Sequence, residues 1–398
     1  MNIMELVRAN YDYIIEQRRF FHQNPELSQQ EFNTSKHIQN ELDTMGIPYV
    51  VINDLGIIAT LCGEKETPVI GLRADMDALP IVEETGLPFA SQNEGVMHAC
   101  GHDTHMAMLL GAAKVLSENK NALNCTVKFI FQPAEEDLAG ALMMLKSPEF
   151  DDIDTYMAIH NMNKIPVGKI SVQPGPRMAA NGTFYIKVIG SGGHGAYPEM
   201  SVDPIVAACA VVSNLQTICS REKSPLTTAV ISVCTFNAGN RCNIIPAYAE
   251  LTGTVRGFDQ SFLDSLPERM ERIIKHTCEA YRATYEFSLE PLALMVVNDP
   301  SCTATAQKAV AKILGDDALY DAPQSTGSED FSFFIKDKPG VLAFVGSGKP
   351  GEEMYPLHNS KADVDEECLI NGAALYAQYV LEAQGSYSSP GKIKIRRP

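Results

Sequence analysis

The amino-acid sequence predicts an α/β protein: a main domain built on a mostly parallel sheet with helices on both faces, plus an inserted α+β domain of ferredoxin-like type. Three observations predict this architecture. The chain has 398 residues, more than one hydrophobic core normally holds. In the first 160 residues, short β-branched segments alternate with helical ones, which is typical of a parallel sheet. A stretch rich in proline and glycine then precedes a segment with its own order of strands and helices.

The first part of the chain begins with helical periodicity from Met4 to Met45, interrupted at Pro25. Strands follow, because the next apolar segments are short and β-branched. They are VINDLGIIATLCG, PVIGLRADMD, CTVKFIFQP and DTYMAIHNM. A helix is predicted at DTHMAMLLGAAKVLSENK, which has apolar residues at helical spacing and no proline.

A second domain is predicted to begin at the linker QPGPRMAANG (173–182). Its segments follow the order β-α-β-β-α-β, the ferredoxin-like arrangement. The α/β pattern then resumes with a helix, a strand at GVLAFVGSG and a helix at EECLINGAALYAQYVLEAQ. The predicted boundaries are therefore 1–178 and 293–386 for the main domain, 179–292 for the inserted domain, and 387–398 for a disordered tail.

Composition disfavours several classes of partner. The net charge of -17 predicts repulsion from nucleic acid and from anionic membranes, so a small molecule is the expected partner. The ordinary explanation of this charge, which carries more weight, is solubility alone. The N-terminal apolar residues are interrupted by charges, unlike those of a signal peptide, and no window approaches the ~20 apolar residues that span a bilayer. The ten cysteines form no CxxC pair, which favours reduced thiols and a cytoplasmic location.

Four strings of unusual polar density lie at the ends of predicted strands or at the start of a helix. They are RADMDALP (73–80), MHACGHDTHMAM (97–108), QPAEED (132–137) and AIHNM (158–162). Ligands of open parallel sheets bind beyond the carboxyl ends of the strands. We therefore expect these strings to converge in space although they lie far apart in the sequence.

The residue types in these strings are those of a metal site, since cysteine, histidine and glutamate are ligands of zinc and related metals. Cys100 and His102 lie two residues apart, and His160 is predicted to end a strand. Glu135 and Glu136 are adjacent, so in an extended chain they point apart. One of them can then bind metal while the other faces solvent or substrate.

Each feature also has an ordinary structural explanation. A single histidine is more often solvated than a ligand, adjacent glutamates are usually a surface pair, and Cys100 alone would be a buried thiol. Asp103 is equally a candidate N-cap of the following helix. His105 would lie in the first turn of that helix, and His98 could support the site without being a ligand. The string HACGHDTH differs, because it holds three of the nine histidines and a cysteine within eight residues.

Several runs resemble the metallopeptidase family of aminoacylase and succinyl-diaminopimelate desuccinylase. The resemblance is to its amidohydrolase branch, which includes hippurate hydrolase, N-acyl-amino-acid amidohydrolases and auxin-conjugate hydrolases. The matching runs are GLRADMDALP, MHACGHDTHMAMLLGAA, FQPAEE, HN after a strand, GSGGHGAYPE, NIIPAYAELTGTVRGF, GSEDFSFF and LHNSKADVDEE.

This resemblance implies a catalytic domain with an inserted lid domain that dimerises, and two divalent metal ions (zinc, manganese, cobalt or nickel). The implied metal ligands are Cys100, His102, Glu136, His160 and His358. Glu135 is implied as the general base. His194 of the lid is implied to stabilise the anionic intermediate, often in the active site of the partner subunit of a homodimer or homotetramer.

Further roles are expected from residue chemistry. Arg256 and Asn243 in the lid strands are candidates to bind the carboxylate of the substrate, and Asp77 is expected to orient a metal ligand. Glu329 is a candidate supporting residue. Two positions depart from the wider family: Asp75 replaces a histidine ligand, and Cys100 stands where a bridging aspartate is usual, which leaves the metal open.

The predicted function is metal-dependent hydrolysis of the amide bond of N-acyl amino acids, with acetyl, benzoyl or similar acyl groups. A dipeptidase or carboxypeptidase on the same scaffold is the alternative. A non-catalytic protein that binds metal or ligand is an alternative of another class, against which the presence of a base at Glu135 argues.

Overall fold

The computed structural model describes residues 1–385, and the predicted tail at 387–398 lies outside the described residues. The chain divides into two compact units. The first comprises Met1–Arg177, Val297–Pro323 and the chain from Asp330 onward. The second comprises Met178–Val296 and a short returning segment, Gln324–Glu329.

The helices and strands are numbered in chain order. Up to residue 178 they are α1 (Ile3–Ala9), α2 (Tyr11–Gln23), α3 (Phe32–Met45), β1 (Tyr49–Ile52), β2 (Gly56–Cys62), β3 (Val69–Asp75), α4 (His102–Glu118), β4 (Thr126–Gln132), α5 (Gly140–Met144), β5 (Thr155–Pro166), β6 (Ile170–Ser171) and β7 (Gly175–Met178). They continue with β8 (Ala180–Ile189), β9 (Gly193–His194), α6 (Pro204–Arg221), β10 (Ala229–Ala238), β11 (Ile244–Ile245), β12 (Tyr248–Gly257), α7 (Gln260–Asp264), α8 (Leu266–Ala280) and β13 (Thr284–Ala293). The last are β14 (Val296–Asn298), α9 (Pro300–Leu314), β15 (Gly340–Gly348) and α10 (Glu367–Ala383).

The first unit is built on a seven-stranded sheet in the order β1-β2-β4-β3-β5-β15-β6. Its four central strands, β4, β3, β5 and β15, are parallel, and the outer strands join them antiparallel. All residues of β3, β4 and β15 are buried, as expected for parallel strands covered on both faces. Buried side chains of α4, α9 and α10 join the strands in one hydrophobic core. The predicted α/β class is confirmed.

Two local predictions in this unit were wrong. The segment VINDLGIIATLCG is a hairpin of β1 and β2 rather than one strand, since Asn53 and Asp54 adopt positive φ angles of 50° and 64°. Asparagine and aspartate tolerate this conformation better than most residues, which allows the tight turn. His160 lies inside β5 rather than at its end, opposite Phe344 of β15.

The second unit has a four-stranded antiparallel sheet in the order β10-β12-β8-β13. Its main elements follow the predicted order β-α-β-β-α-β. Alternate residues of β8 and β12 are buried, and they pack with α6 and α8 in a separate hydrophobic core. The strands β9 and β11 form a small additional pair. The predicted ferredoxin-like arrangement is confirmed. Within residues 1–385, every helix is too short or too polar to cross a membrane.

Candidate metal centre

The loop before α4 places Cys100 and His102 on either side of a glycine. Gly101 occupies the N-cap position of α4 with a φ of 88°, a left-handed conformation that suits glycine. A Cβ atom at Gly101 would lie 2.5 Å from the side-chain oxygen of Asn161. The close approach of the two chains therefore requires glycine here. Asp103, which was a candidate N-cap, does not hold that position, because Gly101 occupies it and α4 begins at His102.

The structure brings the five predicted metal ligands together. The Sγ atom of Cys100 lies 3.6 Å from Nε2 of His160 and 3.3 Å from Nε2 of His358. Oε1 of Glu136 lies 3.5 Å from Nε2 of His358 and 3.9 Å from Nε2 of His102. His358 has a positive φ of 66°, and its backbone N–H donates to the Ala99 carbonyl, which fixes it against the loop that carries Cys100.

Two of the imidazole rings are oriented by hydrogen bonds on Nδ1. Nδ1 of His102 lies 2.9 Å from the backbone oxygen of Asp77 and 3.2 Å from its Oδ1. Nδ1 of His160 lies 2.7 Å from the backbone oxygen of Asn161. Both rings donate at Nδ1, so in the neutral form of each ring the lone pair of Nε2 is left for a metal. Asp77 also accepts from Ser28 and from the Glu136 backbone, which supports its predicted role in orienting a ligand.

The residues present fit a metal by a further observation. Nε2 of His102 and Oε1 of Glu136 are buried, and neither has a hydrogen-bond partner among residues 1–385. Burial without a partner is costly for such atoms. Burial raises the pKa of Glu136 to about 7 and, with the nearby His105, lowers that of His160 to about 3. A divalent cation between these atoms would supply the missing partner and favour the ionised carboxylate.

The sequence suggested that the two adjacent glutamates lie in an extended chain, but they do not. Residues 135–138 form a turn in which the Leu138 N–H donates to the Glu135 carbonyl. Both carboxylates therefore approach Nε2 of His102, at 3.9 Å for Glu135 and 3.9 Å for Glu136. Glu135 is almost fully buried, so it lies beside the ligand cluster and does not face bulk solvent.

The candidate residues of the second unit lie on two connected segments. His194 on β9 is directly opposite Ile244 on β11, and the Gly195 N–H donates to the Asn243 carbonyl. His194 is exposed, and its Nδ1 accepts the Ala196 N–H at 3.0 Å. Arg256 on β12 donates from Nη1 to the Thr326 carbonyl at 2.9 Å and to Oγ of Ser328 at 2.8 Å. Asn243 and His194 are thus neighbours, and Arg256 is fixed by the returning segment.

Comparison with known proteins decides the family. The model of the peptidase family M20/M25/M40 matches residues 71–382. The chain belongs to this family. N-acetylcysteine deacetylase of Bacillus subtilis (strain 168) is 40% identical over 93% of this chain and 97% of that protein. Thermostable carboxypeptidase 1 of Saccharolobus solfataricus is 38% identical over 93% of this chain and 95% of that protein.

A solved structure gives the same result. A Bacillus subtilis protein described as a dinuclear metal binding peptidase from the M20 family aligns with a TM-score of 0.84 and 35% identity, and the match covers 96% of this chain and 100% of that one. The resemblance that the sequence motifs predicted is therefore confirmed, and so is the fold class.

Glu31 supports the candidate site of this M20 chain, although no sequence motif pointed to it. Oε1 of Glu31 accepts the Ala134 N–H at 2.7 Å, although 103 positions separate the two residues. Ala134 has a positive φ of 54°, an uncommon conformation for alanine, and it directly precedes the turn with Glu135 and Glu136. Glu31 is fully buried, and burial together with the charge of Asp77 raises its pKa to about 7. It therefore helps to hold the turn that presents both carboxylates.

Glu31→Gln should change the pH dependence of stability. Because the folded protein holds the Glu31 proton up to about pH 7, the wild type loses stability as pH rises from the unfolded pKa of about 4.5 to above 7. The neutral glutamine avoids this loss, so the metal-free variant should gain about 3 kcal/mol relative to wild type between pH 5 and pH 8. Urea denaturation of both proteins at pH 5 and at pH 8, in the presence of a chelator, measures these free energies of unfolding. A difference between variant and wild type that is the same at both pH values would contradict the assignment.

A fully buried polar cluster next to the predicted ligands was also not indicated by any sequence motif. Arg73 donates to Gln132 at 2.8 Å, to Asp75 at 2.7 Å and to Asp330 at 2.9 Å. Asp330 also accepts from the Gln132 side chain and from the backbone N–H of Ala141. This cluster joins the ends of β3 and β4 to the residues that follow the turn at 135–138. Within the run GSEDFSFF, the residue predicted to support the site was Glu329, the neighbour of Asp330.

Asp75 and His105 are hydrogen-bonded to each other, and the remaining polar atoms of both side chains contact Arg73 and Asn161. Nδ1 of His105 lies 2.6 Å from Oδ1 of Asp75, and its Nε2 lies 2.9 Å from the Asn161 backbone nitrogen. Asp103, in turn, accepts from Arg18 at 2.9 Å and lies 2.8 Å from Nδ1 of His22. His105 and Asp103 therefore fix the loop and the start of α4 through these contacts.

Proposed function

We propose that this M20 chain hydrolyses the amide bond of N-acyl amino acids at a centre of two divalent metal ions held by Cys100, His102, Glu136, His160 and His358. The observation that carries the proposal is the convergence of these five side chains, with Glu135 beside them. Two of them, His102 and Glu136, each hold a buried atom that has no hydrogen-bond partner among residues 1–385. The similarity to N-acetylcysteine deacetylase supports an N-acyl amino acid as substrate.

Glu135 is the proposed general base. Two divalent ions held by these residues would supply a nucleophile by lowering the pKa of a bound water molecule to near neutrality. Glu135 accepts the proton of that water at its carboxylate and passes it to the leaving nitrogen of the amide. Its burial and its position 3.9 Å from Nε2 of His102 support this role, because proton transfer requires a base that is held close to the reacting atoms.

His194 is the proposed donor to the substrate carbonyl oxygen. Since its Nδ1 accepts the Ala196 N–H, the proton of the neutral ring lies on Nε2, at the exposed side of the ring. Such a donor stabilises the negative charge that develops on the carbonyl oxygen during hydrolysis. By the family resemblance, His194 acts in the active site of the partner subunit.

Arg256 and Asn243 are the proposed partners of the substrate carboxylate. The Nη1 bonds of Arg256 to Thr326 and Ser328 fix the guanidinium, which has no acidic partner within the described residues. A pre-oriented guanidinium is well suited to bind a carboxylate. The Asn243 carbonyl is bonded to Gly195, which keeps this residue next to His194.

Metal identity and assembly complete the proposal. The thiolate of Cys100 favours zinc, whereas the glutamate and histidine ligands also accept manganese, cobalt or nickel.

We propose a dimer through β10, an edge strand with exposed Val230 and Phe236, since unpaired edges can join two chains. A light-scattering mass near 43.5 kDa would contradict the dimer. All ten cysteines are free thiols, which supports a cytoplasmic location.

A substrate screen tests the function. The purified chain, loaded separately with zinc, manganese, cobalt or nickel, is assayed with N-acetyl and N-benzoyl amino acids and with unblocked dipeptides. We expect turnover of the N-acyl substrates that chelator abolishes. Turnover of peptides alone would favour the carboxypeptidase or dipeptidase function, which the similarity to thermostable carboxypeptidase 1 supports. The absence of any turnover in all four metal forms would favour a binding protein.

A further inference from the structure

Large apolar side chains are exposed around His194. Tyr197, Met200 and Ile244 have exposed fractions of 56%, 82% and 52%, and we call these three residues the Tyr197 patch. Exposed large apolar residues that cluster around a polar group indicate a binding surface more often than isolated ones do. The patch and His194 belong to the same compact unit.

Contacts within this unit hold the patch against His194. The ring of Tyr197 lies 5.4 Å from that of His194, and the Tyr197 N–H donates to the His194 carbonyl at 2.9 Å. Ile244 is the direct partner of His194 in the antiparallel pair of β9 and β11, so their side chains project to the same face. The one-turn helix Pro198–Met200 contacts β9, and the Met200 N–H donates to the Tyr197 carbonyl.

We propose that the Tyr197 patch binds the acyl group of the substrate and selects for large apolar or aromatic acyl groups; this inference rests on the proposed function. If Nε2 of His194 donates to the substrate carbonyl oxygen, the groups bonded to that carbonyl carbon must lie next to the ring of His194. One of them is the acyl chain, and the other is the amino acid with its carboxylate. Tyr197, Met200 and Ile244 offer an apolar surface that suits the uncharged acyl chain.

The size of the acyl group determines how much the Tyr197 patch contributes to kcat/KM. The methyl group of an acetyl substrate covers little of three large side chains, whereas a benzoyl ring or a hexanoyl chain covers much more. Each additional buried methylene contributes to specificity, and a few of them change kcat/KM by about 10-fold or more. We therefore expect wild-type kcat/KM to rise from N-acetyl to N-hexanoyl and N-benzoyl derivatives of the same amino acid.

The test compares Tyr197→Ala and Met200→Ala with Leu226→Ala in the metal-loaded protein. Leu226 is also an exposed apolar residue of the second unit, with an exposed fraction of 94%, and it is not part of the patch. The ratio of kcat/KM for N-benzoyl over N-acetyl substrate should fall about 10-fold in each patch variant and remain within about twofold of wild type in Leu226→Ala. A second series keeps the acyl group and varies the amino-acid side chain.

Several outcomes would overturn the proposal while the proposed function stands. The patch variants could lower both kcat/KM values equally, or change the ratio only in the series of amino-acid side chains. They could also leave the ratio unchanged and lower the light-scattering mass, in which case the patch joins two copies of the chain. A wild-type protein that hydrolyses no N-acyl amino acid would instead overturn the proposed function itself. Equal melting temperatures of all variants exclude misfolding as the cause.

Discussion

Glu135→Gln should lower kcat by about 10³-fold and leave the metal content of the protein unchanged, because general acid–base catalysis contributes on that scale. The glutamine keeps the size and burial of the side chain but cannot accept a proton from water. Metal content is measured by elemental analysis after dialysis, and kcat with the best N-acyl substrate of the screen.

Asp137→Asn is the matched control for this change. Asp137 lies in the same turn, two residues after Glu135, but its side chain is exposed and contacts Gln29 at 3.2 Å. The same replacement of carboxylate by amide should change kcat by about twofold at most, as expected of an exposed group. If Glu135→Gln retained wild-type kcat, Glu135 would be excluded as the base. If it lost metal as well as turnover, its role would be that of a ligand.

Gly101→Ala should remove both stability and activity. An alanine at a φ of 88° costs about 1–2 kcal/mol, and its Cβ would lie 2.5 Å from the buried side chain of Asn161, which adds about 1–3 kcal/mol of overpacking. The required shift moves Cys100 and His102, which flank the glycine. We expect a loss of about 3–4 kcal/mol in urea denaturation, and a fall in kcat/KM of about 100-fold, since small misplacements of catalytic groups have effects of that size.

Gly95→Ala is the control that separates the cost of a positive φ from the cost of the steric clash with Asn161. Gly95 has a similar φ of 80°, but a Cβ there meets no atom within 4 Å. The variant should lose only the conformational cost of about 1–2 kcal/mol and keep its metal affinity. Equal losses in the two variants would contradict the argument that close approach to Asn161 requires glycine at position 101.

Among the proposed metal ligands, Cys100 and His102 could be predicted from the clustering of cysteine and histidine in one string, whereas Glu136, His160 and His358 entered the predicted set through the family resemblance. Cys100 and His102 lie in a string with three histidines, and parallel strands bring such strings to one edge of the sheet. The strand and helix order also predicted both domains, since hydrophobic periodicity reflects burial directly. These features depend on local sequence, which is why the family motifs carried them.

The features that the sequence did not predict depend on partners far along the chain. The turn at Glu135 requires a positive φ at Ala134, and that conformation is stabilised by Glu31 on another segment. Asp103 was a plausible N-cap by its residue type, but it is paired with Arg18 and His22 of α2. Because a long-range hydrogen bond leaves no periodic signal, local patterns could not reveal these roles.

Buried charge clusters present the same difficulty. Asp330 stabilises Arg73 of β3 from a segment 257 positions away, and no local pattern distinguishes Asp330 from its neighbour Glu329. The hairpin between β1 and β2, in contrast, had a local signal in Asn53 and Asp54, which are frequent turn residues. The apolar character of the flanking strands concealed that signal.

Anomalous diffraction from crystals of the zinc-loaded protein tests the central claim most directly. We expect two anomalous peaks in the cleft bounded by Cys100, His102, Glu136, His160 and His358, with protein density extending to them from these side chains. Crystals of Cys100→Ala grown in the same way should show weaker or missing peaks. A cleft without anomalous density, or zinc bound only elsewhere on the chain, would contradict the metal centre and the hydrolase function that depends on it.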